Sequence, residues 1–136
     1  MHTCVLVADG RDIYEALDRF ANYDGATNKP DAKWDFFGIG GRFEGALPLK
    51  QPRQLRRFFG LLPAGQTSRV SVARKSEIDQ QAFLADPPAA LFFREQLCEC
   101  PLFAEGEALA KWQGEFRQRF ADIPDDTTLQ IVDAHS

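Results

Sequence analysis

The chain has 136 residues, 44% of them hydrophobic and 26% charged, and a formal net charge of −4. That length and balance fit one domain with one proper core, burying roughly two thirds of the extended chain's surface. The acidic balance works against non-specific nucleic-acid binding, which runs on an excess of Lys and Arg. No apolar run approaches the roughly eighteen residues a membrane span needs.

The opening Met1-His-Thr-Cys-Val-Leu-Val-Ala-Asp9 has no basic n-region and only a short apolar run, so it does not read as a signal peptide. The cysteines, Cys4, Cys98 and Cys100, are odd in number. Reduced thiols in the cytoplasm are the expectation. Twelve Phe against two Tyr point to an aromatic-rich core or an apolar pocket.

In chain order, Thr3–Ala8 predicts a buried strand, an apolar β-branched run ended by Asp9-Gly10. Asp9 or Asp12 could cap a helix over Arg11–Phe20, where Ile13, Leu17 and Phe20 recur at helical spacing. Residues 22–31 read as a loop. Lys33–Ile39 predicts a strand, Gly40-Gly41 a tight turn and Arg42–Leu47 a second strand, together a hairpin. Prolines and Gly65 bracket a short helix over Gln54–Leu62. Arg69–Arg74 alternates as a strand does. Ser76 and Asp79 resemble a weak capping box for a helix reaching Leu84, stopped by Asp86-Pro87-Pro88. Ala89–Phe93 predicts a strand, 94–103 a connection, and Ala104–Ala121 a helix with Leu109, Trp112, Phe116 and Phe120 on one stripe. Thr127–Asp133 closes as a strand. No repeat or domain boundary interrupts the chain. The expected architecture is a single α+β domain over residues 1–136, a sandwich of a mixed or antiparallel sheet with helices packed mainly on one face.

The densest chemistry lies between Asn28 and Gly45, where aromatics, charges and glycines are crowded together. Trp34, Asp35, Gly40, Gly41 and Arg42 form the candidate ligand-binding set. Across the expected hairpin Asp35 and Arg42 would face each other. Arg42 could then grip a carboxylate or phosphate, with Asp35 orienting it or acting as a base. The competing reading is a structural ion pair with Trp34 in the core. The Gly38-x-Gly-Gly-Arg42 run could form an anion-binding nest or only a tight turn. It has neither the Walker ending nor a helix opening directly after it.

This block resembles an uncharacterised family of small bacterial and phage proteins with the pattern N-P-x-x-K-W-D-W-Y-x-I-G-G-R-W. The matching positions are Pro30, Lys33, Trp34, Asp35, Ile39, Gly40, Gly41 and Arg42. Phe36, Phe37 and Phe43 replace Trp, Tyr and Trp, and Lys29 separates Asn28 from Pro30. Lys75–Asp79 and the closing Asp126–His135 resemble further family segments, the last of which tends to finish Asp-Cys-His. The resemblance implies a site in the central block and no particular reaction.

A second candidate set, Asp133 and His135, is spaced to share one face of the last strand. With Asp35 these residues could supply acid–base chemistry or, joined by His2 if the first and last strands are neighbours, ligate a metal. Cys98-x-Cys100 lacks the second pair of a zinc site, and no nucleophile elbow or His-Glu-x-x-His exists. No cofactor or metal is implied. Three functions follow. The first is a small domain binding an anionic small molecule or an acidic partner segment at Trp34, Asp35, Gly40-Gly41 and Arg42. The second is a small enzyme using Asp35, Asp133 and His135, with Arg42 stabilising an anion. The third is a protein–protein module, a phage accessory factor by analogy or a homodimer, built on Phe58, Phe59 and Leu62.

Overall fold

A computed structural model describes residues 1–22, 29–54 and 65–136. The segment holding Arg56, Arg57, Phe58, Phe59 and Leu62, and the beginning of the central motif at Asn28, lie outside the described residues.

Among the described residues eight strands form: β1 (His2–Ala8), β2 (Phe36–Ile39), β3 (Leu47–Gln54), β4 (Gln66–Val70), β5 (Val72–Arg74), β6 (Ala90–Phe93), β7 (Gln96–Glu99) and β8 (Thr128–His135). The described α-helices are α1 (Ile13–Ala16), α2 (Gln80–Ala85) and α3 (Gly106–Ala121). The main sheet runs β2-β8-β1-β6-β7, and β5 also pairs with β8. Only β1 and β6 pair in parallel; the other ladders of this sheet are antiparallel. A separate ribbon joins β3 to β4, with an irregular register between Pro48 and Arg53 where prolines remove ladder donors. The class is therefore α+β with a mixed sheet, as expected from the sequence. Among the described residues no helix is long and apolar enough to cross a membrane.

Two cores lie on opposite faces of the sheet. Strand alternation sends Leu6 and Ala8 to one face and Val5 and Val7 to the other. The first face packs against Phe83 of α2 and Trp112, Phe116 and Phe120 of α3. The second packs against Ile13, Ala16, Leu17 and Phe20. Helical mass thus sits mainly on one face. Leu109, expected in the α3 stripe, is 37% exposed and stands outside the core.

Several local expectations change. The predicted helix over 11–20 breaks after Ala16, and a 3₁₀ turn carries Asp18–Phe20. So short a helix is marginal alone, and burial of Leu17 and Phe20 decides the path. Arg42–Leu47 is not a strand. Gly40, Gly41 and Gly45 take positive φ, Gly41–Phe43 makes a 3₁₀ turn, and β2 pairs with β8 instead of folding back on residues 42–47. The strand expected over 69–74 splits at Ser71, whose carbonyl accepts from Ile131 N–H at 2.8 Å, so the chain leaves the ribbon for the main sheet there. The expected connection 94–103 contains β7. Arg94 and Glu95 both take positive φ and form a two-residue hairpin turn without the usual Asn-Gly signal. The α2 cap is Asp79, which accepts from Ala82 N–H at 3.1 Å, and not Ser76.

Candidate functional site

β8 is buried along nearly its whole length, yet carries Gln130 and Asp133 among apolar residues. A buried polar group needs partners. Gln130 donates to the carbonyls of Asp9 and Arg11 at 2.7 and 2.9 Å, which fixes the loop after β1. Asp133 is 4% exposed and lies on the α3 face with Leu129, Ile131 and His135.

Two elements converge on the Asp133 carboxylate. Arg42 N–H donates to Oδ2 at 3.0 Å, and the His2 ring meets Oδ1 through Nδ1 at 2.7 Å. Gly41 sits so close that only a residue without a side chain fits, as does its φ of +54°. The glycine turn is thus an anion cradle, and the anion it holds is the protein's own carboxylate. Burial alone would push the Asp133 carboxyl up. The Arg42 N–H, the His2 ring and the nearby charges of His2 and Arg42 outweigh that and hold it below its ordinary value.

β1 and β8 place His2 opposite His135. The two rings touch edge to face, with centroids 4.8 Å apart. His135 Nδ1 in turn meets Asp35 Oδ1 at 2.8 Å, and Asp35 N–H donates to the His135 carbonyl at 2.9 Å. Each imidazole therefore has its Nδ1 engaged by a different carboxylate. A carboxylate accepts, so Nδ1 carries the proton and Nε2 is left for chemistry. His2 and His135 side chains are 27% and 38% exposed, open enough to meet a ligand.

Of the residues singled out from sequence, Asp35, Asp133 and His135 come together, and His2 joins them through strand pairing. Arg42 reaches the cluster through its backbone. Among the described residues no carboxylate forms an ion pair with its exposed guanidinium. Asp35 pairs with His135 and not with Arg42, because the hairpin that would have joined them does not form. Trp34 is 2% exposed and packs on Phe20 with ring centroids 5.8 Å apart, so it belongs to the core on the far face. Among the described residues no group of three or more His, Cys, Asp or Glu is arranged to hold a metal ion.

A cleft of about 590 Å³ adjoins the cluster at His2. Cys4, Phe43, Phe83, Pro88, Leu102 and Phe103 contribute to its wall. Sequence reading missed it, because its wall is assembled from four separate segments. Cys4, beside Asp133 in the β1–β8 register, has its thiol pushed up to about 12 by burial, with Asp133 and Asp86 adding to the rise. It is a neutral wall group and not a nucleophile at neutral pH. No protein-family model, no curated protein and no solved structure matches this chain.

Proposed function

We propose that the chain is a small ligand-handling domain. It binds the anionic group of a small molecule, a phosphate or carboxylate, between the Arg42 guanidinium and the rings of His2 and His135, whose Nε2 atoms donate to it in the imidazolium form. Gly40 and Gly41 shape the turn that aims Arg42, while Asp35 and Asp133 orient the two rings. A single observation carries the reading: two imidazoles in edge contact, each with Nδ1 engaged by its own carboxylate. A lone surface His–Asp pair is common and contributes little. Two pairs converging from β1, β8 and the segment before β2, with Arg42 joined to Asp133 through its backbone N–H and its guanidinium in no carboxylate ion pair among the described residues, support donors and a proton carrier in one place.

An imidazole oriented in this way can take a proton at Nε2 from a bound hydroxyl or water and return it to a leaving group. The same site therefore supports acid–base catalysis on the bound molecule through Asp35, Asp133 and His135 together with His2. Binding is the primary expectation, and turnover would follow from it.

The test is a titration of the isotopically labelled protein with inorganic phosphate, read by long-range ¹H–¹⁵N correlation of the histidine rings. Phosphate should shift both Nε2 signals. Arg42→Ala should weaken that response about tenfold while leaving the amide spectrum of a folded protein. Ring signals that stay still at saturating phosphate would end the proposal.

A further inference from the structure

The cleft beside His2 differs in character from the charged cluster. Its volume of about 590 Å³ falls within the range of small-molecule pockets. Phe43, Phe83, Pro88 and Leu102 give it apolar walls, and Cys4 contributes a thiol that stays neutral. At its rim Leu102 and Phe103 are 65% and 86% exposed. Phe103 also takes a φ of +58°, a conformation that β-carbon-bearing residues seldom adopt. Two large apolar side chains held in water at the edge of a cavity mark a surface made to be covered.

The same short turn serves both places. Gly41 and Arg42 hold Asp133, and the next residue, Phe43, lines the cleft. His2 belongs to both as well, bonded to Asp133 and lining the cavity. A ligand whose charged end reaches His2 and Arg42 would have the rest of its body directed into the cleft.

We infer that the ligand is amphipathic: a phosphate or carboxylate carried on an apolar body of medium-chain or single-ring size, with the body in the cleft and the head at His2. Two carboxylates line the cavity. Glu99 is neutralised by an ion pair with Lys33, while Asp86, on the segment after α2, is felt at Cys4 and therefore favours the head of the ligand at His2 over a position deeper in the cleft. The inference rests on the anion-binding reading of the histidine cluster and adds the nature of the ligand's other end.

Octyl phosphate and inorganic phosphate, titrated into the labelled full chain in parallel, separate the two ideas. Octyl phosphate should bind at least about tenfold more tightly than inorganic phosphate and shift ring signals of Phe43 and Phe83 as well as the histidines. Ala89→Phe, at an exposed wall position, should remove most of that advantage while preserving the response to inorganic phosphate. The paired rim change Leu102→Ser with Phe103→Ser alters only exposed side chains and should reduce it too. An advantage below about tenfold, or one that survives both variants, would overturn the cleft as the seat of the ligand's body and leave the anion site standing. Histidine signals blind to inorganic phosphate would remove the anion site itself.

Discussion

Gly41 and Asp133 are fitted to each other: a β-carbon added at Gly41 would lie 2.5 Å from Asp133 Oδ2 and 2.6 Å from its Cβ. Neither atom can withdraw, because Asp133 is held on the buried strand β8 and bonded to both His2 and Arg42. Gly41→Ala therefore combines a left-handed backbone with a steric clash and should destabilise the fold by at least about 2 kcal/mol. Gly114, inside α3 with nothing within 4 Å of an added β-carbon, is the matching control. Gly114→Ala should stabilise by about 0.5–1 kcal/mol. Urea denaturation of both variants checks the opposite signs. Equal effects at the two positions would mean that the cradle is not tight.

The lowered Asp133 carboxyl ties stability to pH with a definite sign. A carboxyl held below its ordinary value binds its proton less readily in the folded than in the unfolded chain. Its contribution is complete above the unfolded value, about 4, and fades as pH falls through the lower folded value. Asp9 and Glu77 shift in the same direction, Asp9 through its bonds to Arg11 and Glu77 through the Arg74 N–H. Stability should therefore decline on acidification below about pH 4. Asp133→Asn should cost about 1–3 kcal/mol at neutral pH and make the acid decline shallower. Denaturation midpoints measured from pH 2 to 7 for both proteins give the comparison, and parallel curves would count against Asp133 as a contributor.

How far the sequence could be read depended on whether a signal was local or long-range. The alternation of β1, the stripe of α3 and the apolar run of β8 are local patterns enforced by burial, and they predict elements within a few residues of those observed. The hairpin at Gly40-Gly41 failed because two glycines permit several turns. The turn used was chosen by Asp133, which lies 91 positions away from Arg42. Ser71 divides two sheets for a similar reason: β3 and β8 compete for one continuous alternating run. At the site, Asp133 and His135 were legible from their spacing, and His2 followed once β1 and β8 were neighbours. The exchange of Asp35 from Arg42 to His135 was not legible, since it depends on β2 joining β8. Trp34 looked like a ligand residue from its charged neighbours, yet the path of Phe20 and Ala21 beside it makes it core.

Lys75 shows a buried charge put to structural use. It is 5% exposed, and its ammonium donates to the carbonyls of Phe120 and Ile123 at 2.9 and 2.7 Å. Those carbonyls belong to the end of α3 and the turn after it, where helical acceptors go unpaired and the dipole favours a cation. The ammonium also lies 4.9 Å from the centre of the Phe120 ring. Lys75→Met keeps the stem but takes the ammonium away from both carbonyls, of which Phe120's still accepts from Ile123 N–H at 3.1 Å, and should cost about 1–3 kcal/mol. Lys50→Met, on an exposed residue, should stay within about 0.5 kcal/mol. Thermal and urea unfolding of the pair would reveal a purely surface role for Lys75 if both variants behaved alike.

Cys4 offers a chemical readout of the same region. With its thiol pushed up to about 12, the thiolate fraction at pH 8 is on the order of one in ten thousand. The folded protein should therefore leave Cys4 unmodified by iodoacetamide, while the urea-unfolded chain reacts there at the rate of an ordinary thiol. Peptide mass spectrometry after timed labelling measures this. Removing the Asp133 charge also removes one cause of the rise, so Asp133→Asn should speed Cys4 labelling in the folded state. Labelling that stayed as slow in that variant would mean burial alone protects the thiol. Rapid labelling of the folded parent protein would contradict the packing of β1 against β8 that brings His2, Cys4 and Asp133 together.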